Sequence, residues 1–373
     1  MKKTFVYGVA VEGENFTDRV KETERLKKDF ENGQNVILIS PRRMGKTSLV
    51  RHVASVVDSS KVAVVMLDIY DCRSEYEFYN KLATALLKQT SNKGELLLQH
   101  VKEFLVRLTP KVSFGPDPES EMSVSLGITP KDYSPEEVLQ LPEKLAQKIG
   151  KHIVVCIDEF QQIGTMPDTL AVQKRLRGVW QLQQNVSYCL FGSKKHMMSD
   201  LFQNKRMPFY QFGDIQFLHP IATDDWKPFI HGKFEDNGQA INDRQIERIC
   251  ETVENQSSYV QQLAWNVMLC SDEVVDDMAI DAAVKDLVDQ NTLLFIQQTE
   301  GLSSYQMNFL KAMAAGETED FTSAALLKKY NLGSKSNISR IQETLVKKEL
   351  IERSGRTVTF SDPVFRLWIK QTC

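Results

Sequence analysis

No run of apolar residues in the sequence is long enough to cross a bilayer, which takes about 20. Met1-Lys2-Lys3 is basic, but Thr4 to Val11 is too short and too mixed for a secretory leader. The six cysteines (72, 156, 189, 250, 270, 373) form no C-x-x-C pair. That spacing argues against a metal knuckle or a disulfide frame. Cys156 and Cys189 lie inside apolar runs, and the six read as small core residues of a reducing compartment. An excess of either charge is missing too: 46 basic against 49 acidic residues leave a net of −3 over 373 residues, so the whole chain gives no nucleic-acid signal. What remains is ordinary for a globular protein, with 42% hydrophobic and 25% charged residues and room for two or three domains. The expectation is a cytoplasmic protein without membrane contact.

A further absence is local. Val36 to Ile39 reads as a buried strand, and Lys46-Thr47 opens a helical pattern with Leu49, Val50, Val53 and Val57 on one face. Between them lies Ser40-Pro41-Arg42-Arg43-Met44-Gly45-Lys46-Thr47-Ser48. It fits the phosphate-loop pattern G-x-x-x-x-G-K-[ST] except that Ser40 replaces the first glycine, a change a negative φ permits. Strand, tight loop and helix in that order aim backbone N–H groups and a helix N-terminus at phosphate. Lys46 would reach the β- and γ-phosphates, and the Thr47 hydroxyl would sit on Mg²⁺.

A second strand supports the first. His152 to Ile157 is apolar and ends in Asp158-Glu159, at the sheet edge where α/β proteins bind ligands. Asp158 would hold Mg²⁺, and Glu159 would act as general base for an attacking water. A further strand, Val186 to Ser193, ends in a hydroxyl placed to feel the γ-phosphate or the water, although Ser193 would equally suit a helix N-cap. Runs at Val62–Asp68 and Asp214–Leu218 complete a parallel, helix-covered sheet. Helices are expected at 20–30, 75–108, 135–149 and 168–184. Residues 109–135 alternate polar and apolar residues and read as an inserted hairpin. Phe16-Thr17-Asp18-Arg19 leads into the first helix. It suits either a loop over the adenine base or plain packing beside the sheet.

The character changes after residue 220. Residues 221–300 hold 16 acidic and 5 basic residues, a net of −11, in helical spacing. They read as a helical lid with a solvated surface. Residues 301–373 hold 11 basic and 7 acidic residues, a net of +4. Helices at 303–315, 322–330 and 336–348, a hairpin at 350–360 and a final helix from Pro363 describe a winged helix. Lys335, Asn337 and Arg340 on its third helix suit DNA backbone contact, and the module equally suits a protein partner. The expected domains are therefore a core at 1–220, a lid at 221–300 and a winged helix at 301–373.

Ser40 to Leu49, Ile157-Asp158-Glu159-Phe160-Gln161 and Phe191-Gly192-Ser193 resemble the archaeal-type ATPases of the STAND group, relatives of the AAA+ and origin-recognition ATPases. Phe16 to Arg19 resembles that family's Phe-x-Gly-Arg adenine-side motif, with Asp18 at the glycine. Asp362-Pro363-Val364-Phe365-Arg366-Leu367-Trp368 resembles the close of its winged helix. The resemblance implies an ATP-binding α/β core, a helical lid and a winged helix. It gives Lys46 and Thr47 the Walker A roles, Asp158 and Glu159 the Walker B roles and Ser193 the sensor role. Two places depart from the pattern. Asn255 to Tyr259 stands where a Gly-His-Pro stretch is usual, and Pro208-Phe209-Tyr210 runs into Gln211 rather than an arginine. The expected function is a Mg²⁺-dependent ATPase acting as a conformational switch. The alternatives are an ATP-dependent DNA-binding or loading protein that uses the winged helix, and a nucleotide-binding scaffold without turnover.

Overall fold

The computed structural model describes residues 4–91 and 135–372. The expected hairpin at 109–135, up to its last residue, and the helical positions from Leu97 to Leu108 lie outside the described residues. Two compact units form, one from Ala10 to His219 and one joining the N-terminal segment up to Val9 to the chain from Pro220 onward.

The first unit holds strands β1 (Val36–Ile39), β2 (Val62–Asp68), β3 (His152–Asp158), β4 (Val186–Gly192) and β5 (Asp214–Phe217). They make one parallel sheet in spatial order β2-β3-β4-β1-β5. β1 to β4 coincide with apolar runs of the sequence, as buried parallel strands must, while the edge strand β5 mixes exposed and buried residues. Side chains alternate between two cores. Val36, Leu38, Val154, Cys156, Cys189 and Phe191 pack on one face with α1 (Val20–Glu31) and α2 (Lys46–Val56). Ile37, Ile39, Val155, Ile157, Tyr188 and Leu190 face the helices on the other side. Those are α3 (Glu75–Ser91), α4 (Pro135–Leu139), α5 (Leu141–Ile149), α6 (Thr169–Trp180) and α7 (Lys195–Gln203).

The expected single helix at 135–149 is broken at Gln140. Pro142, in the first turn of α5, cannot donate a backbone bond to the preceding turn, so the chain restarts there. Asn35, just before β1, ties that strand to its two neighbours, β4 and β5. Its side-chain oxygen accepts from Tyr188 N at 2.9 Å and its backbone oxygen accepts from Asp214 N at 2.8 Å. Gly213 allows that approach, because a Cβ there would lie 2.3 Å from the Asn35 oxygen.

The second unit contains α8 (Thr223–Asp236), α9 (Asp243–Thr252), α10 (Ser257–Cys270), α11 (Asp277–Thr299), α12 (Ser304–Ala314), α13 (Ala324–Lys329) and α14 (Lys335–Lys347). The antiparallel wing β6 (Ile351–Ser354) and β7 (Thr357–Phe360) and the final helix α15 (Pro363–Thr372) follow. One continuous apolar core runs from Ile221 through Phe295 and Leu345 to Ile369. Phe5 belongs to it, edge-on to Phe229 and Phe234 at 6.1 and 6.0 Å. Among the described residues Cys72, Cys156, Cys189 and Cys250 are buried and free as expected, whereas Cys270, at the end of α10, is free but exposed and is not a core residue. Among the described residues no helix is long and apolar enough to cross a membrane.

Candidate functional site

The site is built at the carboxyl ends of β1, β3 and β4. In the sheet Ile39 lies opposite Gly192, and Ile157 lies opposite Leu190. The residues that follow each strand, Ser40, Asp158-Glu159 and Ser193, are thereby brought to one edge.

The loop after β1 has the conformation its sequence suggests. Ser40 has no positive φ, which is why it can stand for a glycine, whereas Arg43 (φ 65°) and Gly45 (φ 83°) are left-handed. Left-handed residues among right-handed ones turn successive N–H groups into one concavity, a nest for an anion. The loop ends on the N-terminus of α2, an 11-residue helix. Met44 anchors the loop from beneath and is buried, while Arg42 and Arg43 lie exposed at its tip. Ser48, inside α2, accepts the backbone N–H of Val11 at 3.0 Å and ties the preceding segment to the helix.

Lys46 is buried, and its ammonium donates to Ser40 O (3.0 Å), Ser40 Oγ (3.2 Å) and Pro41 O (2.8 Å). Its three protons are therefore spent on the loop itself. Burial pushes its pKa down to about 8, against the pull of Glu159 and Asp158. A cation already disfavoured by desolvation, next to an anion nest, favours an incoming phosphate.

Thr47 donates to Asp158 Oδ2 at 2.7 Å. Burial raises the Asp158 carboxyl to about 6, while the Thr47 hydroxyl holds it lower. A hydroxyl and a half-desolvated carboxylate at one point suit a hard divalent cation that keeps waters and phosphates for its other positions, as Mg²⁺ does. Among the described residues no three His, Cys, Asp or Glu side chains cluster as a metal cage.

Glu159 has φ 54° and caps a 3₁₀ turn, Phe160–Thr165. Phe160, which opens the turn, is fully buried and edge-on to Phe209 at 5.4 Å. Its Oε2 accepts from Ser193 Oγ at 3.1 Å and from the Gln161 amide. Sequence reasoning placed Glu159 and Ser193 at one edge but gave no part to Gln161. Its only signal was an amide two residues beyond a strand-end carboxylate.

Arg19 and Phe16 take positions the sequence did not disclose. Arg19 is buried with φ 65° and donates to Met44 O (3.1 Å), to His219 O (2.6 Å) and to Glu22 (3.0 Å). Its guanidinium braces the phosphate loop through a main-chain carbonyl. Asp18, at the glycine of the Phe-x-Gly-Arg pattern, has φ 53°, a conformation Asp tolerates better than most residues. The Phe16 ring stacks on His52 of α2, with centroids 4.3 Å apart. In the second unit, Asn255 to Tyr259 turns its polar groups to its own neighbours. Asn255 meets Thr223 at 3.3 Å, Gln256 meets Ser361 O at 3.4 Å and Tyr259 meets Asp362 at 2.7 Å.

A family model of ATPase domains predominantly from Archaea matches residues 16–263, and a probable winged helix domain matches residues 293–371. No curated protein matches the chain by sequence. The structure is similar to a Walker-type ATPase of Pyrococcus abyssi, with TM-score 0.71 at 19% identity over 99% of this chain and 100% of that one. It is also similar to the ORC2 protein of Aeropyrum pernix in ADPNP-ADP complexes, with TM-score 0.58 at 14% identity over 96% and 95%. The ORC1 protein of the same organism in complex with DNA gives 0.50 at 12% identity over 96% and 94%. At these identities the likeness is one of fold. The phosphate loop, the strand-end carboxylates and the family match lead to one conclusion: the chain belongs to the family of ATPase domains found predominantly in Archaea, and it carries a winged helix.

Proposed function

We propose that the chain binds ATP with Mg²⁺ at the carboxyl edge of its sheet, hydrolyses it, and uses the cycle as a conformational switch of the STAND type. The observation that carries this reading is the meeting of Lys46, Thr47, Asp158, Glu159 and Ser193 at one edge, where Thr47 donates to Asp158, Ser193 donates to Glu159 and Lys46 donates to the phosphate loop itself. Packing alone gives no reason to bury a lysine and a carboxylate there.

On this reading the nest at Ser40 to Gly45 and the start of α2 hold the phosphates. Lys46 transfers its hydrogen bonds from Ser40 and Pro41 to phosphate oxygens. Thr47 and Asp158 hold Mg²⁺, which when bound neutralises phosphate charge. Glu159 orients a water whose oxygen bonds to the γ-phosphorus as the bridging oxygen leaves with ADP, and the water's proton passes to Glu159. Ser193 donates to the γ-phosphate. Phe16 and Arg19 frame the adenine side. The sheet core is one moving part, and the helices of 221–300 as lid together with the winged helix at 301–373, which share one apolar core, are the other.

Glu159→Gln tests the reading. ATP·Mg²⁺ affinity should hold or rise, while turnover falls by about 10²–10⁴-fold. Equal turnover in both proteins would remove Glu159 from the chemistry.

DNA is a second partner that one observation favours. Lys335, Arg340, Lys347, Lys348, Arg353 and Arg356 are all exposed on the winged helix, and a similarly folded ORC1 protein is described in complex with DNA. Binding through these side chains should weaken steeply with salt.

A further inference from the structure

Gln161 is only 2% exposed, within the 3₁₀ turn that follows β3. Its amide nitrogen donates to Glu159 Oε2, the oxygen that also accepts from Ser193. Turned over, the amide would press its own oxygen against a carboxylate, so its orientation is dictated. The consequence is an orphan: Gln161 Oε1 is buried without a hydrogen-bond partner among the described residues. Leaving a buried acceptor unpaired forfeits the hydrogen bond it had with water. A methionine or leucine would fill the same space without that cost.

The neighbouring strand makes room for this amide. Gly192 has no positive φ, so glycine is not needed there for backbone freedom. A Cβ at position 192 would lie 1.9 Å from Gln161 Oε1. Residue 192 thus has no side chain where the amide lies, and among the described residues the amide bonds only to Glu159.

We propose that Gln161 is a positioning residue for hydrolysis, holding Glu159 by Oε2 when ATP draws Ser193 away. The inference rests on the reading of Glu159 as general base. Proton counting supports it. The Ser193 hydroxyl has one proton and cannot donate to Glu159 and to a γ-phosphate together. The Gln161 nitrogen has two, with no acceptor besides Glu159 among the described residues. Once phosphate takes the Ser193 proton, Gln161 is the donor that keeps the carboxylate in place, and Oε1 of Glu159 stays available to the water's proton.

Gln161→Met keeps length and volume and removes the donor. Gly192→Ala dislodges the same amide from the opposite side, so the two variants test one contact independently. The readouts are ATP·Mg²⁺ affinity by calorimetry, kcat and KM, the nucleotide retained after incubation, and the ¹³C carboxyl resonance of Glu159 in the ligand-free protein. Loss of that resonance in Glu159→Gln identifies it. Both variants should bind ATP as the wild type does and retain it unhydrolysed. Their kcat should fall by about 10²-fold, the scale of a misplaced catalytic group, with KM little changed and the Glu159 resonance shifted. Gln161→His, which restores an N–H donor, should recover part of kcat. Unchanged kcat and an unmoved resonance in either folded variant, with Glu159→Gln inactive, would overturn the role of Gln161 and leave that of Glu159 standing. Loss of affinity in step with kcat would mark Gln161 as packing alone and overturn it too. Full turnover in Glu159→Gln would overturn both readings.

Discussion

The two units bury polar side chains for different ends. In the first unit Arg19, Ser40, Lys46, Ser48, Gln161 and Ser193 are buried around the carboxyl edge of the sheet. In the second unit buried amides serve local structure. Gln245 closes a capping box with Asn242, Gln256 meets Ser361 O, and Gln261 accepts the Val6 N–H. Left-handed backbone serves both ends. Glu254, Asn331 and Glu349 have positive φ just past helix ends, an ordinary way to stop a helix, as Gly150 does after α5 in the first unit. Arg43 and Glu159 have it inside the loops that carry the proposed chemistry. The same device stops helices in both units and shapes the site loops in the first.

This contrast can be broken by substitution, and the largest effect belongs to the second unit. Phe365 is buried beside Phe295, Phe360 and Trp368, with ring centroids 5.3, 5.9 and 5.9 Å away. Phe365→Ala should cost about 3–5 kcal/mol of stability in denaturant titration and leave ATP affinity of the folded protein unchanged. A parallel loss of affinity would erase the distinction between the units.

Thr47→Val should do the reverse. Removing a hydrogen bond to a charged group costs about 1.5–3 kcal/mol, expected here as lost Mg²⁺-dependent ATP affinity with the fold intact. It should also change the pH response. Asp158 is held up at about 6 mainly by burial. A carboxyl raised in the folded state stabilises the fold below its unfolded value, and that contribution is lost as pH rises through 6. Mg²⁺-dependent binding should strengthen over the same rise. The Thr47 hydroxyl lowers the Asp158 value, so in Thr47→Val that rise should move to higher pH. An unmoved profile would separate Thr47 from Asp158.

The smallest effect concerns a cap. Asn242 accepts from Gln245 N at 3.0 Å and its own N–H meets the Gln245 side chain at 2.9 Å. Asn242→Ala should cost about 1 kcal/mol and leave nucleotide affinity unchanged.

Much of the first unit was legible because buried parallel strands are short apolar runs, and such runs mark β1 to β4. Asp158 and Glu159 were legible because they close such a run, and Lys46 and Thr47 because they end the phosphate-loop pattern that follows one. The break at Gln140 was readable in principle from Pro142, yet the apolar spacing across 135–149 masked it. Gln161 and Arg19 were not legible. Their roles depend on φ 54° at Glu159 and φ 65° at Arg19, conformations unmarked by glycine. The shared core of the second unit was hidden for another reason. Residues 221–300 and 301–373 differ in charge, and charge describes their surfaces, whereas Phe295 and Phe365 meet inside.

The central claim is that Lys46 exchanges loop carbonyls for phosphate. Its ammonium is pushed down to about 8 by burial, and contact with phosphate must raise that value. ATP·Mg²⁺ titrated calorimetrically above pH 8, in two buffers of different ionisation enthalpy, reads the exchange directly. The wild type should take up as much as about one proton on binding. Lys46→Met should show no such uptake and an affinity lower by about 10²-fold. Equal affinity in the two proteins, or binding by the wild type without proton uptake, would contradict the account.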